Sequence, residues 1–168
     1  MDIRVTNRGN NQYTDWGVGP RRCAVGRAGI AQKIREGDGI TPVGTWPLRM
    51  VLYRPDRLPP PHCVLPVAPL RPQDGWCDTP TDPDYNTLVR LPHPGSAESM
   101  WRDDHLYDVV VVVGYNDDPV VADKGSAIFL HLARADFTPT AGCVALPLPD
   151  LLEALAQLAP NDRLIVVG

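Results

Sequence analysis

Five consecutive valines, Val109 to Val113, set between Asp108 and Gly114, constrain the fold of this chain more than any other stretch. β-Branched side chains favour extended backbone, and a strand without polar alternation has no face to give to water. The run predicts a strand buried on both faces. Tyr115, Asn116, Asp117 and Asp118 follow it as a turn that leads, through Lys124 and Gly125, into a second apolar run of Ile128, Phe129, Leu130 and Leu132. The two runs are expected to pair as antiparallel neighbours.

The second run carries His131 and returns, through the turn residues Thr138, Pro139, Thr140 and Gly142, to Cys143, twelve positions further on. Cysteine attacks as thiolate, and a neighbouring imidazole is the commonest way to provide one. The competing reading is a strand histidine and an inert core cysteine, because free Cys is among the most buried residue types. Residue chemistry alone leaves both open.

Elsewhere, Ile3 to Thr6 and Arg21 to Gly26 look like short strands separated by an Asn- and Gly-rich loop. Thr45 to Tyr53 has the period of a strand, with Trp46, Leu48, Met50 and Leu52 expected on one face. Pro149 to Leu158 predicts a helix from the spacing of Leu151, Leu152, Leu155 and Leu158, and Leu164 to Val167 a closing strand. Residues 55 to 94 hold eleven of the nineteen prolines, which breaks helix and central strand alike, so ordered loop or disorder is expected there. Trp76, Tyr85, Trp101 and Tyr107 argue against disorder, and residues 55 to 107 read as a cleft wall or lid, or as a surface loop pinned by its own aromatics. The fold expected is mainly β: an antiparallel sandwich or flattened barrel, with a short helix after the cysteine turn and a long proline-rich insertion.

With 168 residues, 43% hydrophobic and 21% charged, one domain spanning 1–168 can bury its core without disulfides or metals. No stretch approaches the ~20 apolar residues of a membrane-spanning helix. The formal charge is −4 and the 16 basic residues are scattered, which argues against nucleic acid as a partner. Cys23, Cys63, Cys77 and Cys143 match no zinc or redox spacing, so no metal site is expected. A Cys63–Cys77 disulfide could clip the proline-rich segment in an oxidising compartment; connectivity stays open.

His131 with the run Thr140, Ala141, Gly142, Cys143 and Val144 resembles the signature of the L,D-transpeptidase catalytic domain, also called the YkuD domain. In that family a histidine ends a core strand and a Ser/Thr-x-Gly-Cys-Val/Ile turn carries the nucleophile. The stretch from Lys33 through Gly37, Asp38, Gly39, Ile40, Thr41, Pro42 and Val43 to Gly44 looks like the family's G-x-x-TP-x-G turn, and the likeness covers about residues 20 to 168. Two positions depart from it. Many members have a histidine where this chain has Ala141, and an arginine where it has Ala145.

The resemblance implies the fold above and a cysteine acyl transfer on peptidoglycan stem peptides without metal or organic cofactor. Cys143 would be the nucleophile and His131 its proton shuttle, with the turn at Thr140 and Gly142 supplying backbone N–H groups to the oxyanion. Candidate substrate contacts are Trp76, Tyr85, Trp101, His105, Tyr107 and Ala141. The implied product is a 3,3 or 1,3 crosslink. An L,D-carboxypeptidase or endopeptidase, and an idle peptidoglycan-binding domain, are the rivals. Carbapenems would acylate the same cysteine. The implied location is the periplasm or cell envelope, although the N-terminal residues show no basic region followed by an apolar core. The expected state is a monomer.

Overall fold

The computed structural model describes residues 1–168. The chain begins with β1 (Ile3–Arg8), β2 (Asn11–Asp15), β3 (Arg21–Cys23), β4 (Ile30–Ala31), β5 (Thr41–Pro42) and the long β6 (Gly44–Tyr53). The proline-rich segment forms β7 (Val67–Pro69), β8 (Asp74–Cys77), β9 (Leu88–Arg90) and β10 (Ala97–Ser99). Then come β11 (Val109–Val113), β12 (Phe129–Leu132), β13 (Val144–Leu146), α1 (Leu148–Gln157) and β14 (Arg163–Val166).

One sheet runs in the order β13-β12-β11-β6-β14-β1-β2-β3, with β7 also paired to β6. Its ends meet where Ala24 N–H donates to Ala145 O at 2.9 Å and Ala145 N–H to Ala24 O at 2.8 Å. The sheet is therefore a nearly closed barrel, which protects strand edges that would otherwise pair with other chains. The mainly β fold with one short helix is as the sequence predicts, but the pairing is more mixed. β12–β13, β1–β14 and β6–β7 are parallel. A parallel neighbour needs a crossover, and residues 133–143 supply one for β12 and β13.

β11 is buried along its whole length and divides two cores. Val109, Val111 and Val113 face the first, which is lined by β1, β12, β13 and β14 and sealed by Leu151, Ala154 and Leu155 of α1. Val110 and Val112 face the second, with Leu52, Leu70, Trp76, Met100, Tyr107, Phe129 and Cys143. The expected one-sided face of β6 is divided between them. Val112 pairs with Met50 but Val113 with Leu48, so a bulge at Arg49 reverses the alternation. Trp46 and Leu48 consequently pack on the first core, Met50 and Leu52 on the second.

The proline-rich segment is neither disordered nor structureless. β8 pairs antiparallel with both β10 and β9 to make a three-stranded sheet that forms the outer layer of the second core. Asn86 fastens it to the barrel: Oδ1 accepts from Trp76 Nε1 and Ala127 N–H, each at 3.0 Å, while Nδ2 donates to Tyr115 O and Asn116 O at 3.0 and 2.8 Å. All four cysteines are free thiols, so no Cys63–Cys77 bridge clips the segment.

Candidate active site

The turn that carries Cys143 lies at the barrel's closing seam. Thr140 N–H donates to Val25 O at 2.9 Å, and Arg27 N–H to Thr140 O at 2.8 Å. The Thr140 hydroxyl donates to Cys143 O at 2.6 Å and accepts from Gly142 N–H at 3.1 Å, closing the turn on itself. From the other side, the fully buried Thr41 donates its hydroxyl to Gly142 O and accepts Gly26 N–H, both at 2.8 Å. The upstream Thr-Pro turn and the cysteine turn are thus one hydrogen-bonded unit. Of the four N–H groups from Thr140 to Cys143, those of Thr140 and Gly142 are engaged. Those of Ala141 and Cys143 have no partner within the chain.

His131 and Cys143 share a face. In the parallel β12–β13 pair His131 is opposite Ala145, and alternation sets Cys143 two residues before Ala145 on the same side, one diagonal step from the imidazole. His131 Nδ1 lies 2.9 Å from Leu132 O, so Nδ1 holds the proton and Nε2 is the free base. The Cys143 thiol donates to Ala127 O at 3.2 Å and accepts Phe129 N–H at 3.4 Å. Ala127 has φ +53°, a left-handed conformation that costs a non-glycine residue energy, and Asn86 holds it there through its N–H. Burial pushes the Cys143 thiol up to about 12, helped by the Glu98 charge, and brings the His131 imidazole down to about 4. At rest the pair is neutral thiol and neutral imidazole, not thiolate and imidazolium.

Both side chains open onto a cavity of about 480 Å³. Thr140, Ala141, Gly142, Ala145 and Tyr107 also line it. Tyr107 stands edge-on to the His131 ring at 5.3 Å between centroids and donates its hydroxyl to Glu98. The other aromatics proposed as substrate contacts are elsewhere. Trp76 is in the second core, edge-on to Phe129 at 5.0 Å. Tyr85 is buried, donating to Glu36 and accepting Gly125 N–H. Trp101 is stacked under the Arg54 guanidinium at 3.7 Å. His105 points outward with its side chain 78% exposed, bonded to Asp108. The proline-rich segment does wall the cleft, but it presents Asp78, Glu98, Arg102 and Leu106 along with Tyr107, and Lys33, Glu36 and Arg134 complete the charged lining.

Those charged residues were not visible as site residues in the sequence. Large aromatics suit a core as well as a cleft, and apolar area is what a core consumes first.

A model of the L,D-transpeptidase catalytic domain family, YkuD, matches residues 4–167. The chain belongs to that family. No curated protein matches it in a comparison of sequences. The L,D-transpeptidase family acts on peptidoglycan by cysteine chemistry, and no helix here is long and apolar enough to cross a membrane. Ala141 and Ala145, the two positions that depart from the family pattern, both line the cavity. No group of three metal-ligand side chains converges in the cleft; one such group, Cys77, Asp82 and His93, lies outside its lining.

Proposed function

We propose that this domain is a peptidoglycan L,D-transpeptidase of the cell envelope in which Cys143 forms a thioester with a stem peptide. The observation that carries the reading is that His131, with Nε2 free, and Cys143 line one cavity beside two N–H groups that have no partner in the chain, in a member of this family. As the sulfur attacks the carbonyl of the diaminopimelate residue, His131 takes the thiol proton. The N–H groups of Ala141 and Cys143 receive the oxyanion, an interaction worth ~3 kcal/mol per donor in acyl-transfer enzymes. Collapse breaks the peptide bond, the leaving amine takes the proton from His131, and the thioester remains. An acceptor amine, deprotonated by His131, then attacks the thioester; the new amide forms as the C–S bond breaks, and the Cys143 thiolate takes the proton back from His131.

A desolvated, neutral dyad suits this sequence, because charge appears only when the substrate carbonyl is in place to share it. The mixed cleft, with Lys33, Arg102 and Arg134 against Glu36, Asp78 and Glu98, fits a stem peptide that presents both carboxylates and an ammonium. Purified protein incubated with disaccharide-tetrapeptide should give dimers read by mass spectrometry, where loss of one terminal residue marks a 3,3 bond and loss of everything after the first residue of the donor stem marks a 1,3 bond. Tripeptide monomers alone would make it a carboxypeptidase. Unchanged substrate would overturn the reading.

A further inference from the structure

Behind the cleft wall, three side chains of different metal-ligand type converge. The Cys77 thiol, an Asp82 carboxylate oxygen and a His93 ring nitrogen all lie within 4.8 Å of one another. They come from the end of β8, from the turn after it and from the loop that precedes β10. Cys77 is fully buried, and the side chains of His93 and Asp82 are 9% and 15% exposed. His93 Nδ1 faces Asp82 at 4.0 Å, while Nε2 faces the Asp84 carboxylate at 3.4 Å. An imidazole aimed at a ligand centre with one nitrogen and at a carboxylate with the other is the usual arrangement of a metal-bound histidine.

The charge balance points the same way. No lysine or arginine pairs with Asp78, Asp82 or Asp84; the last two face the His93 ring, and one Asp78 oxygen is buried without any hydrogen bond. A thiol and carboxylates gathered without a cationic side chain make a site that a divalent cation would neutralise.

We infer that Cys77, Asp82 and His93 bind one borderline-soft divalent cation, zinc above all, with Asp84 orienting His93 from outside the coordination sphere. Sulfur, nitrogen and oxygen together favour zinc over magnesium or calcium, which take oxygen alone. With bonds of ~2.3 Å to sulfur and ~2.0 Å to nitrogen, neighbouring ligand atoms in a tetrahedron stand roughly 3.5 Å apart, so no pair of the trio need close by more than about an ångström on binding. The cost is one hydrogen bond, from Gly95 N–H to His93 Nδ1 at 3.2 Å. The thiol proton leaves to solvent, and water fills the fourth position. Asp78 follows Cys77, and Cys77 pairs with Ala97, the neighbour of Glu98, so the cation would brace the two acidic residues of the cleft wall from behind.

The test is metal titration of the full chain after chelator treatment under reducing conditions. One equivalent of cobalt(II) should produce a thiolate-to-metal charge-transfer band, and one equivalent of zinc should bleach it and raise Tm. Cys77→Ser should abolish the band, whereas Cys63→Ser and Cys143→Ala keep it. Asp84→Asn should weaken zinc binding tenfold or more, as loss of an outer partner commonly does. Absence of the band in the folded wild type would overturn the inference. So would a band that survives Cys77→Ser or disappears in Cys143→Ala, the latter placing the metal at the catalytic thiol.

Discussion

Gly142 sits at φ +147°, and a Cβ added there would meet Ile40 O at 2.9 Å, so the residue before the nucleophile is fixed by backbone alone. Gly142→Ala should lower stability by about 1–3 kcal/mol and move Cys143 out of line, costing far more activity than melting temperature; unaltered turnover would show that the turn tolerates the strain. The neutral dyad has its own signatures. A desolvated Cys143 should react with iodoacetamide at pH 7 more slowly than cysteine in an unfolded peptide, and thiolate-like rates would contradict the buried thiol. His131 carries its proton near pH 4 when folded against an ordinary value of 6.5, so between those values the unfolded chain binds more protons and stability falls as pH drops. The contribution is roughly 3 kcal/mol, complete above pH 6.5 and gone below pH 4. His131→Gln should flatten the dependence of Tm on pH across that window, while in the wild type the acid limb of kcat/KM should lie well below pH 6.5. Sequence reading located Cys143, His131, Thr140 and Tyr107 in the cleft because motif and strand order sufficed. It could not separate Trp76 and Tyr85, which fill the space behind the wall, from residues that face the substrate, since both uses demand the same side chains.

Strands were legible where one physical requirement dominated. The valines of β11 had to be covered on both sides, and they are. β2 was hidden because Asn11–Asp15 has no apolar alternation, although Gly9-Asn10 between two short extended runs is a hairpin signal. The bulge at Arg49 could not be read, for nothing in the order of apolar residues announces one extra position. The proline-rich strands were obscured for a related reason: β8, β9 and β10 are three or four residues long, and their pairing depends on contacts with the barrel. Two substitutions test that dependence. Asn86→Ala strips partners from Trp76 Nε1, Ala127 N–H and Tyr115 O, and each buried group left unpaired costs about 1–3 kcal/mol. It should destabilise the fold and also cut turnover through the Ala127 carbonyl; a change under 0.5 kcal/mol in denaturant unfolding would mean that water replaces the amide. Phe129→Ala opens the second core between Trp76 and Tyr107, at an expected cost of about 3–5 kcal/mol.

At the scale of the whole molecule, the barrel's closure and the proposed site lie side by side. The Ala24–Ala145 bridge that completes the barrel is two residues from the nucleophile, and the inserted sheet that covers the barrel's outer face supplies the opposite wall of the cleft. A peptide bound there would meet a floor made by β12 and β13 and a charged wall made by the inserted segment. Trapping the acyl-enzyme examines that arrangement most directly. Tetrapeptide stem is mixed with the protein, the reaction is quenched in acid, and the intact mass and its peptide map are recorded. A mass gain equal to the stem less its terminal residue, mapped to the peptide containing Cys143 and absent from Cys143→Ala, is the expected result. Turnover retained in Cys143→Ala, or an acyl group on Cys23, Cys63 or Cys77, would contradict it.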